Sequence, residues 1–312
     1  MTHDDQGSVH AFGGDWTQRK LAVLQRYLSA YTTALRRQPF ELWYVDAFAG
    51  TGTRVAHDVR SGSPPASEPD EPRALLDGSA RLALRTSPPF DRFLFIERNT
   101  RHVAALKALS ESARRSPGSV LVQHGDANEL LVALAREDWR RRRGVLFLDP
   151  YGMQLDWATL EAIADTRALD VWLLVPIGMG LVRLLPRDGA VPEPWRRRMD
   201  RFLGTNSWYD AFYRTQRSPT LFDPGATELE RARPAALAEF VQARLRLLFP
   251  GVAQLPGVLR NSRNNPLYVL CFAAANPRGA RIAVRIAEHL LKELETWPED
   301  RGSSGRRPRG TP

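Results

Sequence analysis

Apolar residues recur along this chain in two patterns. Five short apolar runs, each followed by a polar turn, are typical of strands buried on both faces of a parallel sheet. They cover residues 42–48, 93–96, 120–122, 145–148 and 171–175. Apolar residues spaced three and four apart predict helices between these runs, over 101–113, 128–137 and 157–165. Strands that alternate with helices predict an α/β fold with a doubly wound, mostly parallel sheet.

Both ends of the chain extend this pattern. Spacings of three and four predict a leading amphipathic helix over residues 16–35. Near the other end, residues 258–260 and 267–272 flank Asn264-Asn265-Pro266 and predict an antiparallel hairpin that closes the sheet. A last helix is predicted after Asn276-Pro277, which would cap it. Its predicted buried stripe consists of Ile282, Ile286, Leu290 and Leu294.

These elements divide the chain into five predicted segments. They are a helical N-terminal extension (1–40), a Rossmann-like core (41–185), a helical insert (186–250), a C-terminal hairpin and helix that complete the core (251–297), and a disordered tail (298–312). The aromatic residues of the insert are expected on helices; they are Trp195, Trp208, Tyr209, Phe212 and Tyr213. Within the core, Pro64-Pro65 and Pro69 predict an irregular loop between Arg54 and Asp77.

Composition narrows the class of protein. Hydrophobic residues form 43% of the 312 residues, and no apolar run approaches the ~18 residues that a membrane span needs. The first residues lack the basic start and the apolar stretch of a secretory signal, so we expect a cytoplasmic protein. The single cysteine, Cys271, excludes an internal disulfide and a cysteine zinc site. Cys271 lies in an apolar run and is expected in the core, and no metal site is predicted.

The net charge of +9 suggests an anionic partner, because basic surfaces attract phosphate backbones. Only Lys20, Lys107 and Lys292 are lysines, and a GC-rich genome produces the same bias towards arginine. Two arginine runs stand out, at 140–143 and 196–198. The first precedes a predicted strand, so it is expected at the amino edge of the sheet and also fits a solvated helix end. The second follows the fifth strand and is the better candidate for contact with nucleic acid.

The strongest local motif is the end of the first predicted strand, Asp46 followed by Ala47-Phe48-Ala49-Gly50-Thr51-Gly52. Small residues at the carboxyl edge of a sheet allow a ligand to approach the backbone closely. A phosphate-binding P-loop is excluded here because no Gly-Lys-Ser/Thr follows. Dinucleotide binding is disfavoured, since the third glycine is missing and the next strand-end acid, Glu97, lies far downstream. Without the 54–77 loop that spacing becomes acceptable, so dinucleotide binding remains an alternative.

S-adenosylmethionine (SAM) fits this motif better, because an acid at the end of the first strand can accept hydrogen bonds from its ammonium group. Asp46, Phe48, Ala49, Gly50 and Gly52 are therefore the candidates for holding the methionine end. Glu97 is placed to accept hydrogen bonds from the ribose hydroxyls. Asp126, followed by Ala127, is placed to reach the adenine amino group. The alternatives are a solvated helix cap for Glu97 and an N-cap for Asp126.

The fourth strand ends in Asp149-Pro150-Tyr151-Gly152, the candidate for binding a methyl acceptor. Methyl transfer to an amine needs an aligned lone pair and relief of the developing positive charge. Asp149 and a carbonyl at or before Pro150 can hold an amino group, and Tyr151 can stack on a planar base. Amino-directed nucleic-acid methyltransferases usually carry two prolines here, whereas this chain has one, which weakens a base-flipping mechanism. The alternative is that Asp149 caps the next helix.

Together these motifs make the chain resemble the three-Cys-motif partner proteins, a group regarded as SAM-dependent methyltransferases. The resemblance covers most of the chain, in Trp16-Thr17, Lys20-Leu21, Tyr27-Leu28, Tyr44 to Gly52, Gly78-Ser79-Ala80, Phe147 to Gly152 with Trp157, Pro266 to Leu270 and Asn276 to Gly279. Thr51 and Ala80 stand where the family often has proline. The resemblance implies a class I methyltransferase fold and a radical-SAM-like protein as partner.

We therefore predict a Rossmann-like class I methyltransferase that uses SAM to methylate an amine of a nucleic acid. A methyltransferase of protein or small molecules is one alternative. The other is a non-catalytic or SAM-binding protein that acts with a radical-SAM-like neighbour. Retention of both Asp46 and Asp149 favours the enzyme, because a scaffold needs neither.

Overall fold

The computed structural model describes residues 15–49, 78–113, 116, 118–217 and 227–296. Its α-helices are α1 (Asp15–Leu35), α2 (Gly78–Leu84), α3 (Thr100–Ser112), α4 (Ala127–Ala135), α5 (Trp157–Asp165), α6 (Glu193–Leu203), α7 (Trp208–Phe212), α8 (Pro234–Leu248) and α9 (Ala280–Thr296). Its strands are β1 (Glu41–Ala47), β2 (Arg92–Glu97), β3 (Val120–His124), β4 (Arg142–Leu148), β5 (Leu169–Pro176), β6 (Tyr213–Arg217), β7 (Thr227–Arg231), β8 (Gly251–Val252), β9 (Gly257–Arg260) and β10 (Pro266–Ala274). The five predicted core strands and the three helices between them are therefore confirmed, within a few residues at each end.

The strands form a mixed sheet in the order β3-β2-β1-β4-β5-β10-β8, with β9 paired to the first part of β10. Strands β1 to β5 are parallel, and β10 runs antiparallel to β5. The parallel order 3-2-1-4-5 is that of a Rossmann-like sheet. With the antiparallel β9–β10 hairpin beside β5, it confirms the predicted class I methyltransferase fold.

Helices cover both faces of this sheet. Helices α1, α2, α3 and α9 pack on one face, and α4 to α8 pack on the other. Strand β5 is buried along its whole length because helices cover both of its sides. None of the helices in the described ranges is long and apolar enough to cross a membrane.

Helix α1 is tied to the rest of the fold by its buried face. The Tyr27 hydroxyl donates a hydrogen bond of 2.8 Å to Asp170 Oδ2 near the start of β5. On its exposed face, Arg26 pairs with Glu293 of α9. The predicted leading helix is thus confirmed, and it lies against the last helix of the described chain.

Three details differ from the sequence-based expectations. Tyr213 begins strand β6 instead of lying on a helix, because residues 213–217 pair with 227–231 as a two-stranded sheet. Ile282 is 62% exposed, since the buried stripe of α9 runs through Ala280, Ala287, Leu290, Leu291 and Leu294. Asn276 accepts a hydrogen bond from the Arg278 backbone within a turn, and α9 begins only at Ala280.

Candidate functional site

The candidate site lies at the carboxyl edge of the sheet, where the ends of β1, β2 and β4 adjoin. In the sheet register, Ala47 of β1 pairs with Ile96 of β2 and with Leu148 of β4. The next residues, Glu97 and Asp149, therefore lie on either side of the turn that follows β1. Topology alone brings together three of the acids that the sequence singles out.

Asp46 is buried under this edge, with 1% of its surface exposed. Its Oδ2 atom accepts a hydrogen bond of 3.1 Å from the Tyr44 hydroxyl. Within the described ranges, its Oδ1 atom is buried and has no hydrogen-bond partner. Burial raises the pKa of Asp46 to about 7; Asp149 adds to the increase, whereas the hydroxyls of Ser79 and Tyr44 and the charge of Lys20 oppose it.

The turn after β1 has an unusual backbone. Phe48 has φ of 69°, a left-handed conformation that is rare for a bulky residue. The next residue, Ala49, is buried, and its N–H donates to the carbonyl oxygen of Ile96 at 2.9 Å. Strained residues of this kind concentrate at ligand sites. The predicted cofactor ligands Gly50 and Gly52 lie outside the described residues.

Glu97 ends β2 and is 7% exposed. Its Oε1 atom accepts a hydrogen bond of 2.5 Å from the Asn99 backbone and lies 3.8 Å from His102 Nδ1. The cap of helix α3 is Asn99, whose side chain accepts from Arg101 N and His102 N. The alternative of a solvated helix cap is therefore wrong for Glu97, which is a buried carboxylate at the edge.

Asp126 follows β3 and is the N-cap of α4. Its Oδ1 atom accepts from Asn128 N at 2.9 Å and from Glu129 N at 3.4 Å. The capping alternative is thus realised by one carboxylate oxygen. Ala127 is buried at the start of the same helix. Contact of Asp126 and Ala127 with adenine stays a prediction.

The motif that follows β4 forms an open turn. Asp149 is partly exposed, Pro150 is buried, and Tyr151 has 47% of its surface exposed. Gly152 turns the chain with φ of 61°, which a side chain would oppose. Helix α5 begins well beyond this turn, with Asp156 at its N-cap position. Asp149 is therefore no cap of α5, and the helix-cap alternative for it is wrong.

One member of the site, Lys20 on α1, was not predicted from the sequence. Its ammonium group donates to Asp149 Oδ2 and forms an ion pair with it, although the Lys20 side chain is only 4% exposed. A signal was present, since Lys20 stands in line with Trp16, Leu24 and Leu28 on the apolar stripe of the helix. A charged residue on such a stripe requires a buried partner.

The two arginine runs lie at opposite edges of the sheet. Arg142 and Arg143 begin β4 at the amino edge, where Arg142 pairs with Glu137 and Glu41. The run 196–198 lies on α6, and Arg201 of the same helix pairs with Asp156 in the segment between β4 and α5. Helix α6 is therefore anchored beside the carboxyl edge, which is where the sequence places the better nucleic-acid candidate.

Known proteins resemble this chain only distantly. No protein-family model and no curated protein sequence matches the chain. The Legionella pneumophila protein LPL1258, of the family-model DUF519, is 15% identical, with coverage of 91% of this chain and 94% of its own and a TM-score of 0.41. Human methyltransferase-like protein 13, solved in complex with SAH, is 12% identical, with coverages of 92% and 96% and a TM-score of 0.41. Spermidine synthase from Thermotoga maritima is 10% identical, with coverages of 84% and 60% and a TM-score of 0.39.

Similarities of this size say nothing about activity. The fold class is established by the strand order and by the antiparallel β10.

Proposed function

We propose that this chain is a SAM-dependent methyltransferase that acts on an amino group of a nucleic acid. The main support is Asp46, a buried carboxylate whose Oδ1 atom has no partner among the described residues. A buried polar atom left without a hydrogen bond costs about 1–3 kcal/mol. A bound ligand with a donor group removes that cost, and the ammonium group of SAM is such a donor.

The order of the acids along the edge also fits this cofactor. The sheet order β1, β2, β3 presents Asp46, Glu97 and Asp126 in succession. SAM offers its ammonium, ribose and adenine groups in that same order. A dinucleotide would instead bring its pyrophosphate against Asp46, and two negative groups repel each other in a buried site. The edge therefore favours SAM over the dinucleotide alternative.

When bound, SAM supplies a methyl group activated by a sulfonium. Asp149 then has two tasks: to accept an N–H of the acceptor amine, which orients the lone pair, and to stabilise the positive charge that the nitrogen gains. The exposed ring of Tyr151 offers a stacking face to a planar base. The proton that the methylated nitrogen loses can leave to solvent, because Asp149 is partly exposed.

Helix α6 supports nucleic acid as the substrate class. Arg201 holds α6 beside the edge through Asp156. The side chains of Arg197 and Arg198 on the same helix are exposed and can contact phosphates. A duplex or single strand that follows α6 would pass close to Tyr151.

Two measurements test the proposal. Isothermal titration should show binding of SAM and S-adenosylhomocysteine (SAH) by the purified chain, and no comparable binding of NAD. Transfer of a radiolabelled methyl group from SAM to mixed DNA and RNA oligonucleotides should then be detectable. Absence of SAM binding would overturn the cofactor assignment.

Binding without transfer would leave the partner alternative, in which the chain acts with the radical-SAM-like protein that the family resemblance implies. Co-purification with such a protein, and transfer only in its presence, would establish that alternative.

A further inference from the structure

Lys20 is held in one place by aromatic side chains. Its Nζ atom lies 5.1 Å from the centre of the Trp16 ring and 5.8 Å from that of Phe147. Trp16 in turn stacks on Tyr268 of β10, with 4.7 Å between the ring centres. These contacts fix the first turns of α1 over the carboxyl edge. The pairing of Lys20 with Asp149 is therefore a built feature of the site.

This ion pair changes what Asp149 can bind. Among the described residues, Lys20 donates a hydrogen bond to Asp149, and the accepting atom is Oδ2. The other oxygen, Oδ1, is available to accept a hydrogen bond from the methyl-accepting substrate, and 30% of the Asp149 side chain is exposed. A methyl acceptor that binds Asp149 therefore contacts a carboxylate that is already ion-paired with a buried ammonium group.

The charge balance favours an uncharged acceptor. An alkylammonium at Asp149 would face Lys20 and, with cofactor bound, the sulfonium as well, and like charges at such distances repel strongly. Of the two acids nearby, Asp149 is already paired with Lys20, and the proposed function assigns Asp46 to the ammonium group of SAM. A neutral, planar amino group escapes the repulsion and still donates an N–H to Asp149.

We propose that Lys20 is a specificity-determining residue that acts through Asp149 and restricts the acceptor to uncharged planar amino groups, such as those of nucleobases. Alkylammonium groups, such as those of lysine side chains and polyamines, are excluded. This proposal rests on the proposed function, because it assigns the acceptor position to Asp149.

Two small amines of similar size test directly whether the site excludes charged amino groups. Aniline is a neutral planar amine near neutral pH, whereas cyclohexylamine is an ammonium. Their affinities for the SAH-loaded chain are measured by saturation-transfer NMR. The parent should prefer aniline by about tenfold or more. Lys20→Met should reverse or abolish that preference, and Lys20→Arg should retain it, because the charge is kept. Lys107→Met on the exposed face of α3 is the matched control and should behave as the parent.

The outcomes separate the two proposals. Failure of the parent to bind SAH overturns the proposed function. Binding of SAH with equal affinity for both probes, or an unchanged preference in Lys20→Met, overturns the role of Lys20 alone. Since Lys20→Met removes a buried charge and could unfold the chain, a second measurement uses only the parent. With SAM, the parent should methylate an adenine-containing oligonucleotide and leave a lysine peptide unmethylated. Methylation of the peptide would overturn the exclusion of alkylammonium groups.

Discussion

The two edges of the sheet contain similarly buried aspartates that differ in how they are hydrogen-bonded. At the amino edge, Asp170 accepts from the Tyr27 hydroxyl and from the backbone of Ala275. At the carboxyl edge, Asp46 accepts from the hydroxyls of Ser79 and Tyr44, but its buried Oδ1 atom is left without a partner in the described part of the chain. Burial raises the pKa of both carboxyl groups to about 7.

This difference separates a structural acid from a functional one. The hydrogen bonds to Asp170 connect β5 with α1 and with the residue that follows β10. Asp170 therefore has a structural role and needs no ligand. Glu41 at the same edge is likewise paired, with Arg92 and Arg142. At the carboxyl edge an acceptor atom is kept open, which costs stability in the free protein and is recovered on binding. A raised pKa alone does not distinguish the two cases, whereas the hydrogen-bond inventory does.

The largest expected effect comes from Asp149→Asn. The amide keeps an oxygen for Lys20 but loses the charge that stabilises the methylated nitrogen. We expect methyl transfer to fall by about 100-fold or more, with SAM affinity within a few-fold of the parent. Steady-state kinetics and titration calorimetry measure the two quantities.

Asparagine is preferred here to alanine, because Asp149→Ala would leave the Lys20 ammonium buried without its partner. Asp138→Asn, an exposed acid of the amino edge, is the control and should change neither quantity. A loss of SAM binding in Asp149→Asn would make Asp149 a cofactor ligand and contradict its role at the acceptor.

Asp46→Asn should weaken SAM binding by about 10- to 100-fold, because an amide cannot supply the charge that the ammonium of SAM requires. Asp170→Asn is the counterpart at the amino edge and should bind SAM as the parent does. Titration calorimetry of the parent and the two variants shows which of the two aspartates SAM contacts. Equal losses in both variants would mean that the distinction between structural and functional acid fails.

A pH titration should move stability and SAM affinity in opposite directions. The folded-state pKa of about 7 for Asp46 and Asp170 lies above the ordinary value of about 4 for an aspartate. Each group therefore holds a proton in the folded chain that it has lost in the unfolded chain. The free energy of unfolding should fall as pH rises from about 4 to about 7, by up to about 1.4 kcal/mol per pH unit for each group, and be regained on acidification.

SAM needs the ionised form of Asp46, so its affinity should rise between about pH 6 and pH 7.5, below the range in which an α-amino group loses its proton. Urea unfolding and calorimetry across this range measure both trends. Asp46→Asn should flatten the affinity curve, and Asp170→Asn should flatten only the stability curve. A parent affinity that is independent of pH would contradict the assignment of Asp46.

The smallest effect concerns the arginine runs. Replacement of Arg197 and Arg198 by glutamine should reduce the slope of log affinity for a DNA duplex against log salt by about 0.9 for each phosphate that an arginine no longer neutralises. Arg196 is left in place because its guanidinium packs on Tyr209, at 4.6 Å from the ring centre. The matched pair Arg140→Gln and Arg141→Gln at the amino edge should leave the slope unchanged. An effect of the amino-edge pair alone would reverse the assignment of the two runs.

The parallel core was predictable because each of its strands is a short apolar run that ends in a polar residue. Strand ends of a parallel sheet share one edge, so the proximity of Asp46, Glu97 and Asp149 also followed from the sequence. The spacing of apolar residues gave the wrong element for Tyr213. Its strand is formed by pairing with residues 227–231, which the local pattern does not show.

Long-range contacts set the remaining features. Lys20 and Asp149 are far apart in the chain, and no local pattern indicates which acid a buried lysine will pair with. The opposite roles of Asp46 and Asp170 depend on whether a donor from another element reaches the second carboxylate oxygen. Asp126 illustrates a limit of a different kind, since a cap and a ligand contact can use different oxygens of one carboxylate.

The docking of α1 has a consequence for the order in which the chain can be assembled. Trp16 stacks on Tyr268, and Arg26 pairs with Glu293, so residues near the start of the described chain are positioned by residues near its end. During synthesis, β1 to β5 can pair as they emerge and α1 can contact β4 and β5 through Tyr31 and Tyr27, but the contacts of α1 with β10 and α9 wait until those elements have been made. Contacts of such sequence separation form late and slowly. The turn of α1 that carries Trp16 and Lys20 is therefore fixed over the carboxyl edge only after β10 has been made.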